Sequence, residues 1–249
     1  MSTNCVVKAE SLTKTFSGKE VIKNFHMCVE SGTIYGFLGA NGAGKTTVFK
    51  LLSGLLVPTM GKAEVLGMDI LSERDTILAE IGTLIETPLF YEHLSATENL
   101  EIHLAYMGIN DKDIDYTLSK VGLNNTGNQP VSKFSLGMKQ RLAIARAIIH
   151  MPKLLILDEP INGLDPMGIR EMRELFLELV KNHHMTILIS SHILSEIENI
   201  ADTIGVISEG QMIEEVSLAS IKRQFPNGLE NYFFDLMSGG KKNANFNEA

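Results

Sequence analysis

The chain has no apolar run long enough to cross a bilayer. Its uninterrupted apolar stretches, such as Leu154 to Leu157, fall far short of the roughly 20 residues that a spanning helix needs, so no membrane span is expected. The first residues, Met1-Ser2-Thr3-Asn4-Cys5, lack the charged start and apolar core of a secretory signal, and the cytoplasm is the expected compartment. Cysteine is scarce. Cys5 and Cys28 lie near strand-like segments and are expected to be separate small buried residues rather than a disulfide or a metal pair. Basic residues are outnumbered, 22 Lys and Arg against 30 Asp and Glu, leaving a net charge of −8. Such a balance offers no electrostatic footprint for DNA or RNA, and nucleic-acid partners are not expected.

What is present fits one large α/β domain, or a core with a smaller satellite. With 249 residues, 44% apolar and 21% charged, the chain can bury a substantial core without disulfide or metal staples. Gly39-Ala40-Asn41-Gly42-Ala43-Gly44-Lys45-Thr46 follows the apolar run Ile34 to Leu38 and leads into Thr47-Val48-Phe49-Lys50-Leu51-Leu52. Strand, loop and helix thus come in the order that a phosphate-binding loop requires. Gly39, Gly42 and Gly44 can take positive φ and let backbone N–H groups reach an anion at the helix N-terminus. Lys45 would reach the outer phosphates of ATP or GTP, and the Thr46 hydroxyl would ligate a bridging Mg²⁺.

Further along, residues 5 to 9 and 21 to 29 read as an antiparallel pair joined by a turn at Ser17-Gly18-Lys19. Phe16, just before that turn, is either a core or turn aromatic or a ring that stacks on adenine. Residues 61 to 70 read as a short strand and turn, Ser72 to Glu80 as a short helix capped by Ser72, and Ile81 to Ile85 as a strand. Between Glu86 and about His150 the pattern turns helical, at Thr97 to Met107, Asp111 to Val121 and Gly137 to Ile149. This is an inserted helical subdomain, and Lys139, Arg141 and Arg146 on its last helix are expected to be mostly a solvated face. Strands return at Lys153 to Asp158 and Met185 to Ser190, separated by an amphipathic helix, which implies a parallel crossover. A hairpin at Thr203 to Val216, two short helices and a polar tail complete the chain. Residues 1–237 are read as one nucleotide-binding domain, with the helical subdomain at about 87–150 and 238–249 as a disordered tail.

Asp158 and Glu159 end a buried strand. Adjacent strand side chains point to opposite sides, so Asp158 can help hold Mg²⁺ while Glu159 polarises the attacking water. Ser135 and Gly137 open the third helix of the inserted subdomain and form a second anion site. Phe16, the phosphate loop, Phe134 to Arg141, Asp158-Glu159-Pro160, Asn162-Gly163-Leu164-Asp165 and Ser190-Ser191-His192 stand in the order and approximate spacing of the ATP-binding-cassette ATPases, which nearly the whole chain resembles.

The resemblance implies a phosphate-loop ATPase core with an antiparallel β subdomain and a helical subdomain. It also implies a dimer of two copies that sandwich two ATP molecules, so that Ser135 and Gly137 serve the partner's nucleotide. Phe16 matches the adenine-stacking aromatic, Asp165 the loop that crosses the dimer interface, and His192 the switch histidine at the γ-phosphate. Separate membrane-spanning permease subunits are implied as partners, with this chain on the cytoplasmic face. His183 and His184 match no motif and are expected at the surface.

Two departures stand out. The signature serine and second glycine persist as Ser135 and Gly137, while the first glycine and the glutamine are replaced by Leu136 and Met138. Glu86 stands where most of the family has glutamine; it is a candidate Mg²⁺ ligand and a candidate for coupling hydrolysis to transport. Glu86 and the run Ser135 to Arg141 resemble the branch of the family that exports bacitracin or gives self-immunity to lantibiotics. Leu229 to Phe234 resembles that branch's terminal helix, and the extra C-terminal domain of longer relatives is expected to be missing. The alternatives are a soluble cassette ATPase acting on ribosomes or DNA, and a cassette for an unrelated substrate.

Overall fold

The computed structural model describes residues 5–225 and 228–237. The tail at 238–249 lies outside the described residues.

The first unit is a four-stranded antiparallel sheet. β1 (Cys5–Phe16) and β2 (Lys19–Glu30) pair across the turn at Ser17-Gly18, and β4 (Met60–Val65) and β5 (Met68–Asp69) extend the sheet in the order β2-β1-β4-β5. Both long strands exceed their apolar runs because β1 is held on both edges. The antiparallel register, with Cys5 opposite Glu30 and Lys8 opposite Cys28, brings the start of β1 to the end of β2. Cys5 and Cys28 are half-buried there, with Cα atoms 5.5 Å apart, and they form a disulfide instead of standing as separate buried thiols. A bridge spanning 23 residues should add up to about 3 kcal/mol by restricting the unfolded chain. Reductant should therefore lower the thermal unfolding midpoint, and Cys5→Ser in oxidising buffer should lower it equally. Equal midpoints with and without reductant would contradict this.

The second unit is a six-stranded sheet in the order β10-β9-β3-β8-β7-β6. β3 (Ile34–Leu38), β6 (Ile81–Leu84), β7 (Leu154–Asp158), β8 (Thr186–Ser191) and β9 (Thr203–Ser208) run parallel, and β10 (Gln211–Ser217) returns antiparallel on β9. These strands read as continuous apolar runs because both faces are covered. Alternate residues serve different cores. Ile34, Leu38, Leu155, Leu157, Ile187 and Ile189 pack against the helical side, while Tyr35, Phe37, Leu154, Ile156 and Leu188 pack toward the antiparallel sheet and α1 (Lys45–Leu52).

The helices fall close to the expected segments. α2 (Arg74–Glu80) is not capped by Ser72; its N-cap is Glu73, which makes no side-chain cap bond. Ser72 instead belongs to a turn in which its N–H, its hydroxyl and the N–H of Leu71 all donate to Asp69 Oδ1. α3 (Ala96–Tyr106) opens with a Ser95–Glu98 capping box, and α4 (Ile114–Lys120) is capped by Asp113. α5 (Leu136–Ile148) is capped by Ser135, whose Oγ accepts from Met138 N at 3.2 Å. α6 (Pro166–His183) links β7 to β8, is capped by Asp165, and ends at exposed His183 and His184. α7 (Leu194–Ile200), α8 (Leu218–Gln224) and α9 (Leu229–Met237) complete the described chain.

The basic residues of α5 are not a free solvated face. Arg141 donates to Val121 O and Glu171, Lys139 pairs with Glu92, and Arg146 donates to Leu89 O while lying over the Phe90 ring. They tie α5 to α6 and to the segment after β6. β6 is an edge strand whose open face α5 covers closely: a Cβ at Gly82 would meet Ala147 O at 2.0 Å. Among the described residues, no helix is long and apolar enough to cross a membrane.

Candidate functional site

In an open parallel sheet, ligands bind beyond the carboxyl ends of the strands. Here those ends bring together the phosphate loop after β3, Asp158 and Glu159 after β7, and His192 after β8, with Glu86 after β6 lining an adjoining cavity. A cavity of about 220 Å³ is lined by Asn41, Gly42, Gly44, Lys45, Thr46 and Thr47 of the loop, with Asp158 and Glu159 opposite.

Within the loop, Gly42 and Gly44 take φ of 80° and 113°, conformations that glycine adopts without strain. Gly39 does not use its freedom to take positive φ. It is required for close packing, because a Cβ there would meet Ile207 O at 2.5 Å. Lys45 is buried, with Nζ donating to Gly39 O at 2.7 Å and Ala40 O at 3.3 Å and lying 4.0 Å from Glu159 Oε1.

Thr46 Oγ1 donates to Asp158 Oδ2 at 2.5 Å, and Ser190 Oγ donates to Asp158 Oδ1 at 2.6 Å. Ser190 also accepts from Glu159 N at 2.9 Å, so one buried hydroxyl joins both acidic residues. Glu159 has φ of 51°, and its Oε2 shares a 2.7 Å hydrogen bond with His192 Nδ1. Glu86, also left-handed at φ 62°, pairs with Lys50 of α1. It lines a second cavity, of about 310 Å³, together with Asp158 and Glu159.

Within one chain, Ser135, Gly137 and Asp165 do not join the phosphate loop. They line a separate open cavity of about 640 Å³, where a Cβ at Gly137 would lie 3.2 Å from Gly163 O. Phe16 is 42% exposed with Lys14 Nζ 5.0 Å from its ring centroid, a presented aromatic rather than a core one. Beyond Glu86, Leu89, Tyr91 and Tyr106 are 84%, 46% and 79% exposed around a groove of about 320 Å³, floored in part by Arg146 and His103. Burial, reinforced by Arg146 and His150, pushes the His103 imidazole down to about 4, so it is neutral at pH 7. Phe90 is half-buried under Arg146.

Sequence reading missed Ser190, Lys50 and Gln140 as individual site residues. Ser190 interrupts the apolar run of β8 directly opposite Asp158. Gln140 precedes Ile144 and Ile148 at intervals of four on the buried stripe of α5, and its amide donates to Pro160 O at 2.8 Å. A lone polar residue in a buried stripe was the available signal.

A family model described as ABC transporter matches residues 22–162. The bacitracin transport ATP-binding protein BcrA of Bacillus licheniformis is 49% identical over 220 residues, which cover 88% of this chain and 72% of that protein. The lantibiotic transport ATP-binding protein SrtF of Streptococcus pyogenes is 47% identical over 210 residues, 84% of this chain and 90% of that one. A solved structure described as the ATP binding subunit of an ABC transporter superposes with a TM-score of 0.84 at 28% identity, covering 93% of this chain and 99% of its own. With more than half the chain matched by the family model and close relatives of similar extent, the chain belongs to the ABC transporter family, as one of its ATP-binding, ATP-hydrolysing subunits.

Proposed function

We propose that this subunit drives the export of an antimicrobial peptide of the lantibiotic or bacitracin class, working as a dimer beneath separate membrane-spanning permease subunits on the cytoplasmic face. The observation that carries the ATPase reading is the bonded set Thr46–Asp158–Ser190–Glu159–His192 facing the phosphate loop. The peptide reading is supported by the identity to BcrA and SrtF together with Glu86.

The residue roles follow from this arrangement. Lys45 and the N–H groups of the loop hold the phosphates, with Thr47 beside them, and Phe16 offers its ring to the adenine. Thr46 and Asp158 fit a Mg²⁺ ion: a hydroxyl and a carboxylate already within bonding distance are hard oxygen donors, and such sites need only one or two carboxylates besides phosphate oxygens. When bound, Mg²⁺ supplies positive charge against the outer phosphates. Glu159 is the general base that takes the proton of the attacking water, and His192 fixes its carboxylate and faces the γ-phosphate. Ser135 and Gly137 act on the partner's nucleotide, and Asp165 lies at the dimer interface. The groove at Leu89, Tyr91 and Tyr106 receives a cytoplasmic helix of the permease, with Pro88 stiffening its approach. Glu86 joins this segment to the nucleotide site, where it is a candidate for both Mg²⁺ coordination and coupling.

The test is growth inhibition across a peptide panel, using cells that carry this chain and its native membrane partners. The parent system should confer tolerance to a lantibiotic or to bacitracin. Glu86→Ala should reduce that tolerance more than it reduces ATP affinity, because the groove and the phosphate loop remain intact. No protection against any such peptide would remove the substrate assignment and leave the ATPase standing. Undiminished tolerance in Glu86→Ala would remove the coupling role.

A further inference from the structure

α5 touches the turn after β7 through one buried amide. Gln140 is 8% exposed, and its Nε2 donates to Pro160 O at 2.8 Å and reaches Glu159 O at 3.4 Å. An amide on an otherwise apolar helix face is costly to bury unless it is bonded, and here the bonds all go to this turn. The turn needs them. Glu159 holds φ of 51°, a conformation that residues with a side chain adopt reluctantly. Its N–H is fixed on one side by Ser190 Oγ at 2.9 Å, and its carbonyl side is met by Gln140. With the peptide groups on both sides of its Cα tied, the Cα–Cβ direction of Glu159 is set, and its carboxylate is delivered to His192.

We propose that Gln140 is a positioning residue for Glu159, and that through it the helix beginning at Ser135 is mechanically joined to the base. Gln140 borders the cavity that Glu86, Asp158 and Glu159 line, but its amide donates to the backbone carbonyls of Glu159 and Pro160, so it acts through Glu159 and not on the phosphates. The same end of α5 bears on this loop at a second place, where Gly137 and Leu136 approach Gly163. A ligand pressing on Ser135 and Gly137 therefore moves the helix that carries Gln140, and Gln140 carries that displacement to the catalytic turn. This inference rests on the reading of Glu159 as the general base.

Two variants of the full chain test it by steady-state ATPase kinetics. Gln140→Met keeps the length and loses the donor. It should lower kcat by about ten-fold while KM for ATP stays within about two-fold, because the phosphate loop is untouched. Gln140→Glu sets a carboxylate against two carbonyl oxygens when ionised but regains one O–H donor when protonated. Its kcat relative to the parent at the same pH should therefore rise as pH falls. A Gln140→Met kcat within about two-fold of the parent overturns the proposal, as does a Gln140→Glu ratio that does not change with pH. Should Gln140→Met fail to fold, the Gln140→Glu profile decides alone. Glu159→Gln, run beside them, separates the two ideas: parent-like hydrolysis there removes the base reading itself, whereas an inactive Glu159→Gln beside a parent-like Gln140→Met removes only the positioning role.

Discussion

Glu159→Gln should bind ATP as the parent does and hydrolyse it about 10²- to 10⁴-fold more slowly, the range lost when a general base is removed. The substitution is close to isosteric, and the amide oxygen can still accept from His192, so the turn held by Ser190 and Gln140 should keep its shape. The amide cannot take up a proton from water. Lys45, Thr46 and Asp158 are unchanged, and the nucleotide should therefore persist and prolong the ATP-bound dimer. Size-exclusion chromatography with Mg-ATP, paired with phosphate release, measures both effects. A mutant that stays monomeric and hydrolyses at the parent rate would sink the base and the sandwich together.

The second large effect concerns Ser135, which lies in a cavity separate from its own phosphate loop. If each nucleotide sits between the loop of one chain and the Ser135 end of α5 in the other, Lys45→Ala and Ser135→Arg should each abolish turnover when assayed alone. Mixed together they should recover it. In a mixed dimer one composite site carries both lesions and the other carries none. Random pairing makes about half of the dimers mixed, so activity should return to about a quarter of the parent's if the sites turn over independently. Ser135 also caps α5, and arginine there should cost about 1 kcal/mol of helix stability, so a circular dichroism melt must first confirm that the mutant is folded. A mixing curve that stays flat rules out independently acting composite sites.

Much of this site is legible in the sequence, for physical reasons. The phosphate loop, Asp158-Glu159 and His192 each follow a buried apolar strand, and a parallel sheet with two covered faces leaves little freedom in where its strand ends project. Ser135 caps its helix as its place before Leu136 suggests, because capping is local chemistry. Most of what failed to show depends on partners distant in sequence. Gly39 reads as a glycine free to take positive φ, whereas what requires it is the close approach of Ile207. Arg146 looked solvated, but its acceptor is Leu89 O. The Cys5–Cys28 bond depended on the register of β1 against β2, and Ser72 is taken up by a local turn on Asp69, leaving Glu73 as the N-cap of α2. Ser190 and Gln140 lie between, each visible as a polar interruption but with no indication of what it bonds.

In a chain made from its N-terminus, β6 is complete before its one neighbouring strand, β7, and before α5, the helix that covers it. Until both have been synthesised, Ile81 to Leu84 presents unpaired backbone groups on both edges of an apolar segment, which is the template that nascent chains use to associate with one another. Gly82 limits this hazard as well as permitting the later approach of Ala147, because glycine is a poor strand former and the segment is only four residues long. The residue that lets α5 cover β6 in the finished subunit also weakens the strand-forming tendency of the same segment in the unfinished one.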